Sequence, residues 1–458
     1  MPEVMTLKKE DINTPEKREK YTLSIIGCGR MGLSHACLFA EAGFKVIAVD
    51  VNQRTINLIK KGKTPFMEPR LDVLLERHIK NDHLTATQDT REAASASDII
   101  MFVVPTLIDK RKKPDYSAIE KACKDVGMAL RLGSMIISAS ATGPGVTESL
   151  VKETLENTSG LKAGINFGLA YSPIHAIPGQ VLQDINACTR VVGAVDEQSL
   201  RTGCLVLSTI VTGEIVKVKN IKTAEAVKLF ESVYQDINLA LANNFALFCE
   251  KAGIDIVEAQ KAASTQPNCH LPTPEIVNEY VTQDHYLLVE ESETLNVKLP
   301  MLTLARKIND EMLGHTVRLV GDALRVCGKN MRRAKVSIFG ISCHPNVKVA
   351  EGSQAKRFIN MLNKKGMVVR VYDPLFSYKE LVKMGYSAER TLKKTVEKAD
   401  CLVIAVGHDR FRRLSLGKIK FLVKKPAAIV DMGHVIDPVK AEKEGFVYRG
   451  VGRGVWTK

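Results

Sequence analysis

The stretch TLSIIGCGRMG, residues 22–32, decides the fold. An apolar, β-branched run from Thr22 leads straight into Gly27-Cys28-Gly29-Arg30-Met31-Gly32. A helical pattern follows (LSHACLFAEAG), then a strand pattern from Phe44 to Val49 that closes on Asp50. Strand, glycine-rich turn, helix, strand and acid within about thirty residues mark a dinucleotide-binding βαβ unit. Gly27 permits the tight turn, Gly29 lets backbone approach a pyrophosphate, and Gly32 lets helix and strand pack closely. The helix N-terminus, with Arg30 and Met31 in its first turn, offers N–H groups and a positive dipole end to the phosphates. Asp50 is placed to accept the adenosine ribose hydroxyls and to repel a 2′-phosphate, which predicts NAD. Arg54, four residues further on, keeps NADP open.

Working outward, the α/β alternation continues. Ser97 to Val104 reads as a buried strand ending at Pro105-Thr106, and Ser134 to Ser138 as another, with a helix opening after Ala139–Glu148. Pro105 and Thr106 are candidate cofactor contacts, because loops at strand C-termini hold the ligand of a doubly wound sheet. The middle of the chain changes character. Thr223 to Gly253 predicts one long helix of some 45 Å, and Leu302 to Cys327 a second, which together suit a helical core and a dimer interface. Strand patterns then return at Lys335–Phe339, Val368–Tyr372, Cys401–Val406 and Ala427–Asp431. The loop after the first of these lacks GxGxxG, so this domain is expected to hold something other than a second dinucleotide.

The predicted class is therefore α/β: an N-terminal Rossmann domain, a central all-helical region with a long helix, and a C-terminal second Rossmann-like domain. The expected boundaries are a polar leader over 1–20, the NAD-binding domain over 21–211, a helical dimerisation domain over 212–328 and a substrate-binding domain over 329–458. A length of 458 residues agrees with about three domains.

Composition excludes several classes. Hydrophobic residues make up 45% and charged residues 25%, as in ordinary globular proteins. No apolar run approaches the roughly 18 residues that cross a bilayer, and the charged N-terminus lacks a signal-peptide core. A cytoplasmic protein without a membrane partner is expected. Ten cysteines without a CxxC pair predict reduced thiols, with neither a disulfide scaffold nor a metal site. The net charge of +14 comes from scattered clusters such as Lys110-Arg111-Lys112-Lys113, Arg332-Arg333 and Arg412-Arg413. Nucleic-acid readers concentrate such charge and interleave aromatics; here aromatics are 5% and no such motif occurs. A field that draws in an anionic small molecule is the functional reading.

The order and spacing of several stretches carry a resemblance. They are IIGCGRMGL, VDVNQRTINLIKKGKTPFMEP, FVVPT, KKPD, GPGVTESLV, IPGQVLQDI, AEAVKLFESVYQDINLALANNFALFCEKAGIDI, LARKIND, KVSIFGISCHP, VRVYDP and DCLVIAVGHDRF. Over roughly residues 22–454 the chain resembles the UDP-glucose/GDP-mannose dehydrogenase family, the nucleotide-sugar 6-dehydrogenases. The resemblance implies a homodimeric, NAD-dependent oxidoreductase of polysaccharide biosynthesis. Such enzymes oxidise a sugar C6 hydroxyl to a carboxylate in two hydride transfers, with a cysteine trapping the aldehyde as a thiohemiacetal and a lysine stabilising oxyanion charge. By resemblance the cysteine is Cys269 and the lysine Lys228. His175, His270, Arg306 and His344 are candidate substrate contacts.

The chain departs from the family's pattern on the substrate side. Pro267-Asn268 stand where glycines are usual, Thr273 for an aspartate, Ile174 for a glutamate, Ala141 for a threonine and Ser232 for an asparagine. His344 replaces a lysine, and Val349-Ala350-Glu351-Gly352 replaces Asp-x-Arg-Glu, which puts an acid where an arginine would hold phosphate. The NAD half is intact and the substrate half is rebuilt. Three readings stay open: a divergent nucleotide-sugar dehydrogenase, a dehydrogenase of the same fold making one hydride transfer with His175, His270 or His344 as base, and a non-catalytic NAD-binding scaffold.

Overall fold

The computed structural model describes residues 4–109 and 111–457, without the side chains of 279–283. Lys110 of the first basic cluster lies outside the described residues. The chain divides into two compact units. Unit 1 is Met1–Ser232 with Gln283–Lys298; unit 2 is Val233–Thr282 with Leu299–Lys458.

Cover on both faces leaves the central strands of the unit 1 sheet, Ile99–Phe102 and Met135–Ser138, buried at every position, and ten strands are described in the unit. They are β1 (Thr22–Ile26), β2 (Lys45–Val49), β3 (Leu84–Thr87), β4 (Ile99–Phe102), β5 (Leu107–Ile108), β6 (Pro114–Asp115), β7 (Met135–Ser138), β8 (Gly168–Tyr171), β9 (Arg190–Ala194) and β10 (Ile215–Lys217). Eight form one sheet in the order β10-β9-β8-β7-β4-β1-β2-β3, and β5 pairs with β6 separately. The large sheet is parallel except where β8 meets β9. One apolar core covers each face. The first includes Leu33, Phe39 and Ile56; the second includes Ile119, Val151 and Leu155.

Unit 2 carries the second doubly wound sheet. Its strands β11 (Lys335–Phe339), β12 (Val368–Tyr372), β13 (Cys401–Ile404), β14 (Ala427–Asp431) and β15 (Phe446–Gly450) are all parallel, in the order β12-β11-β13-β14-β15. The helix Pro300–Val326 buries Leu313, Val317, Val320 and Leu324 in the core shared with this sheet. The long helix runs from Ile221 to Ala252, and the break between the units falls inside it, between Ser232 and Val233.

The α/β–helical–α/β class expected from sequence is observed, with two differences in detail. The strand β10 lies within 212–328, the stretch read as helical, and forms the edge of the unit 1 sheet. The leader is also more than a polar extension. Val4, Leu7 and Ile12 are buried, and Leu7 and Ile12 join the core that includes Leu33 and Phe39. Thr202 Oγ1 donates to the Met5 carbonyl at 3.0 Å, and Arg18 Nη1 to the Ala42 carbonyl at 2.8 Å. Isolated apolar residues in a charged segment show no periodicity, which is why sequence reading leaves them on the surface.

Two outcomes follow from this packing. Ile12→Ala should cost about 2–4 kcal/mol of stability through the cavity it leaves, read from the urea midpoint. The second concerns His35, on the helix Arg30–Glu41. Burial and the Arg190 charge push its pKa down to about 3. Folded chains therefore stay neutral there while unfolded chains take up a proton below about pH 6.5. Stability that is fully present above pH 6.5 should fall as pH drops toward 3. His35→Asn, which keeps a donor for the Met31 carbonyl, should flatten that dependence between pH 6.5 and 4.

Candidate functional site

The dinucleotide crevice lies at the C-terminal ends of β1 and β4. Gly27 has φ +100°, and a Cβ there would sit 2.5 Å from the Val103 carbonyl oxygen. A Cβ on Gly32 would overlap the Gly27 carbonyl oxygen, whereas one on Gly29 would meet nothing within 4 Å. The turn is thus closed toward the sheet and open on the side where a ligand's phosphates approach. The helix Arg30–Glu41 begins without a side-chain cap, which leaves its first N–H groups for an anion. Asp50 Oδ2 accepts the Cys28 N–H at 2.9 Å and Oδ1 the Asn52 N–H at 2.8 Å. Arg54 is exposed in the first turn of the next helix, whose cap is Asn52. These residues fit a dinucleotide.

Arg30 does a different job from a phosphate contact. It pairs with Glu68 at 3.1 Å and lies over the Phe66 ring at 4.8 Å. Glu68 in turn accepts the Gly179 and Val181 N–H groups, each at 2.9 Å. One buried carboxylate therefore joins the FMEP and IPGQV segments. Pro105 is exposed, and the buried Thr106 hydroxyl donates to the Ala141 carbonyl.

Along the long helix, residues 225, 228 and 232 share one face through their spacing of three and four. Glu225 is buried and accepts from Thr142 Oγ1 at 3.0 Å, Gly145 N at 2.5 Å and Thr147 N at 2.8 Å. It fixes the loop after β7, and desolvation raises its pKa despite these donors. Lys228 Nζ lies 3.3 Å from both Ser232 Oγ and Asp284 Oδ2, and Ser232 Oγ donates to Asp284 at 2.6 Å. Asp284, on the helix Glu279–Thr294, was not anticipated from sequence. One acid among several in a polar helix gives no local signal. His175 Nδ1 lies 2.7 Å from Glu231 Oε2. Burial, with Lys228 and Arg190 nearby, lowers the His175 pKa to about 3. Ile174 is half-buried and packs against the unit 1 core.

In unit 2, Cys269 is partly exposed in a turn whose N–H donates to the Gln266 carbonyl at 3.1 Å. His270 is exposed, and Thr273 Oγ1 accepts from Gln260 at 3.3 Å. Arg306 has another task than meeting substrate: it is buried and pairs with Asp236 at 2.6 Å and Asp310 at 3.3 Å, so its charge is already compensated within the helices. A crevice of about 110 Å³ opens where β11, β13 and β14 end, lined among others by Ser342, Cys343, Gln354, Gly407 and Gly433. Gly407 and Gly433 are both required there, since a Cβ on Gly433 would come within 2.7 Å of the Gly407 Cα. His344 flanks Cys343, and burial lowers its pKa. Glu351 is exposed, and its carbonyl accepts from Cys343 Sγ at 2.6 Å. Among the described residues no group of His, Cys, Asp and Glu gathers to hold a metal ion.

Comparison with known proteins agrees with this arrangement. Residues 21–211 match the NAD binding domain of the UDP-glucose/GDP-mannose dehydrogenase family, 222–311 its central domain and 337–438 its UDP binding domain. The UDP-N-acetyl-D-mannosamine dehydrogenase of Methanococcus maripaludis (strain S2) is 30% identical over 452 residues, 96% of this chain and all of that protein. The enzyme of that name from Methanocaldococcus jannaschii is 30% identical over 94% of this chain and 96% of its own length. The solved UDP-D-ManNAc dehydrogenase of Pyrococcus horikoshii superposes with a TM-score of 0.85 at 29% identity, over 95% of this chain and 100% of that one. A dinucleotide crevice in unit 1, a second crevice in unit 2 and full-length likeness at this level lead to one conclusion: the chain belongs to the UDP-glucose/GDP-mannose dehydrogenase family and is an NAD-dependent dehydrogenase acting on an alcohol.

Proposed function

We propose that the chain oxidises the C6 hydroxyl of a UDP-linked N-acetylated hexosamine to the carboxylate, with Cys269 as nucleophile and Lys228 as oxyanion stabiliser. The observation that carries this reading is the buried Lys228–Ser232–Asp284 cluster. It keeps an ammonium at fixed position with one hydroxyl and one carboxylate beside it, although the chain has Ser232 and Thr273 where the family has amide and acid. The full-length relatives named UDP-N-acetyl-D-mannosamine dehydrogenase support the sugar class, and the match to the UDP binding domain supports the nucleotide. The crevice at Ser342–Cys343, Gly407 and Gly433 is the proposed nucleotide seat.

NAD supplies the hydride acceptor for each of two oxidations. The chain's own residues then divide the work. Gly27, Gly29, Gly32 and Asp50 seat the dinucleotide. The Cys269 thiolate adds to the aldehyde carbon, and the resulting thiohemiacetal gives up the second hydride to leave a thioester. Water attacks that thioester, releasing the thiolate and the carboxylate. Lys228, oriented by Asp284, stabilises the alkoxide and the tetrahedral oxyanion. The balance is RCH2OH + H2O + 2 NAD+ → RCOO− + 2 NADH + 3 H+. His175 suits the single-transfer alternative poorly: a pKa near 3 makes it a weak base at neutral pH.

We also propose a homodimer through the long helix. In unit 2 its exposed Tyr234, Leu241, Phe245 and Phe248 lie at spacings of seven, four and three, a helical stripe of apolar surface. No helix among the described residues is long and apolar enough to cross a membrane. The dependence on NAD and the ten free cysteines support a cytoplasmic location.

Three measurements test these readings. Incubation with NAD and UDP-N-acetyl-D-mannosamine, UDP-glucose or GDP-mannose should yield two NADH per sugar consumed, with one of the UDP-sugars preferred; one NADH, or none, would overturn the four-electron reaction. Cys269→Ala should abolish acid formation, and Lys228→Met should lower kcat by about 10²–10³-fold, the scale of a lost oxyanion donor. A Phe245→Glu, Phe248→Glu protein should sediment as a monomer where the unaltered chain sediments as a dimer.

A further inference from the structure

Arg190 opens β9 and is 1% exposed. Its Nε, Nη1 and Nη2 atoms have no hydrogen-bond partner among the described residues. Burial lowers its pKa only to about 10, so the guanidinium remains charged at neutral pH. A buried cation without a counter-ion carries its full desolvation penalty uncompensated.

Apolar residues flank it on the neighbouring stretches of chain. β8 and β9 run antiparallel, with Ala170 opposite Ala194 and Tyr171 opposite Gly193. β8 ends at Tyr171, and Ile174 in the loop beyond it packs against the core that holds Val192 and Ala194, which alternation along β9 puts on the same face as Arg190. On the other side of β9, β10 sets Ile215 level with Arg190, so an apolar side chain stands there too. His35 and His175 both lie within the field of Arg190 and are held neutral. Their Nε2 atoms are buried and lack partners, as does Ser172 Oγ, two residues before Ile174.

We infer that Arg190 is the receptor for an oxyanion, a carboxylate or phosphate group carried by a ligand of this enzyme. Its planar fork of donors matches either group in a bidentate arrangement. An acid at position 174 would compete for that fork; isoleucine leaves it available. Two sources share this chemistry. One is the carboxylate of a uronate, which rests on the reaction proposed above; the other is a phosphate of the cofactor or nucleotide, which does not.

Thermal unfolding of the full chain tests the inference without turnover. Sodium phosphate and sodium glucuronate are each compared with sodium chloride at matched ionic strength. At least one should raise the midpoint of the unaltered protein by about 2–4 °C beyond chloride, and neither should do so in Arg190→Met or in Ile174→Glu. A response to glucuronate alone assigns the carboxylate source, and a response to phosphate alone the phosphate source; both support the site. Ile174→Glu, which builds in a counter-ion, guards against an Arg190→Met protein that fails to fold. No response beyond chloride in the unaltered protein, or responses that survive in both variants, would overturn the inference. Stoichiometric NADH formation is measured separately, so a failed reaction and a failed anion site are distinguishable.

Discussion

Each unit hangs on a carboxylate at the end of its second strand. In unit 1, Asp50 holds the Cys28 and Asn52 N–H groups, and the Gly27 N–H donates to the Val49 carbonyl at 2.8 Å. In unit 2, Asp373 holds the Ile341 and Leu375 N–H groups at 2.8 and 2.9 Å, and the Gly340 N–H donates to the Tyr372 carbonyl at 2.9 Å. Both turns need a glycine at positive φ, +100° for Gly27 and +93° for Gly340. Charge-assisted acceptance by a carboxylate is among the stronger hydrogen bonds available to a backbone. It keeps the first strand, its turn and the second strand in fixed register, and the crevice above them inherits that rigidity. What differs is the surroundings: Asp50 is half-buried, whereas Asp373 is fully buried with His408 Nε2 at 3.4 Å. Asp50 keeps access to a ribose; Asp373 is an internal clamp.

The second dependence runs along one face of the long helix. Glu225 anchors the loop after β7, Lys228 presents the ammonium, and Ser232 joins that ammonium to Asp284. A carboxylate, a cation and a hydroxyl are thus positioned by one rigid element rather than by three loops, so a shift of the helix would move them together. The family's usual acid shortly after the cysteine is Thr273 here, and Asp284 brings a carboxylate to the lysine from another helix.

Sequence reading located the elements whose signal is dense. The runs at 22–26, 99–102, 335–339 and 401–404 are mostly apolar because both faces of their sheets are covered, and the GxGxxG turn has no cheaper explanation than a phosphate-binding loop. Short or mixed strands escaped: Leu84–Thr87 alternates over only four residues, too few to stand out, and Gly168–Tyr171 begins with glycine. The crevice was legible where residue type and motif coincide, as in the turn that Gly27, Gly29 and Gly32 form and that Asp50 holds. The site was illegible where chemistry depends on a distant partner. Nothing local distinguishes Asp284 from a solvated helix acid, or Arg190 from the basic residues of a positively charged chain. Arg306 was a candidate substrate contact, and only its carboxylate partners show that it belongs to the helical interior.

The chain leaves unit 1 after Ser232, returns at Gln283 and leaves again after Lys298. Neither unit is a continuous piece of polypeptide, and this governs how the protein can be made. During vectorial synthesis, Lys228 and Ser232 emerge some fifty residues before Asp284, their partner across a sequence gap of 52 from Ser232. A nascent chain ending near residue 280 holds the complete dinucleotide sheet yet an ammonium with no carboxylate beside it. Fragments cut at the visible end of the first sheet would inherit the same defect permanently, which makes this a chain to be expressed whole or permuted, not divided.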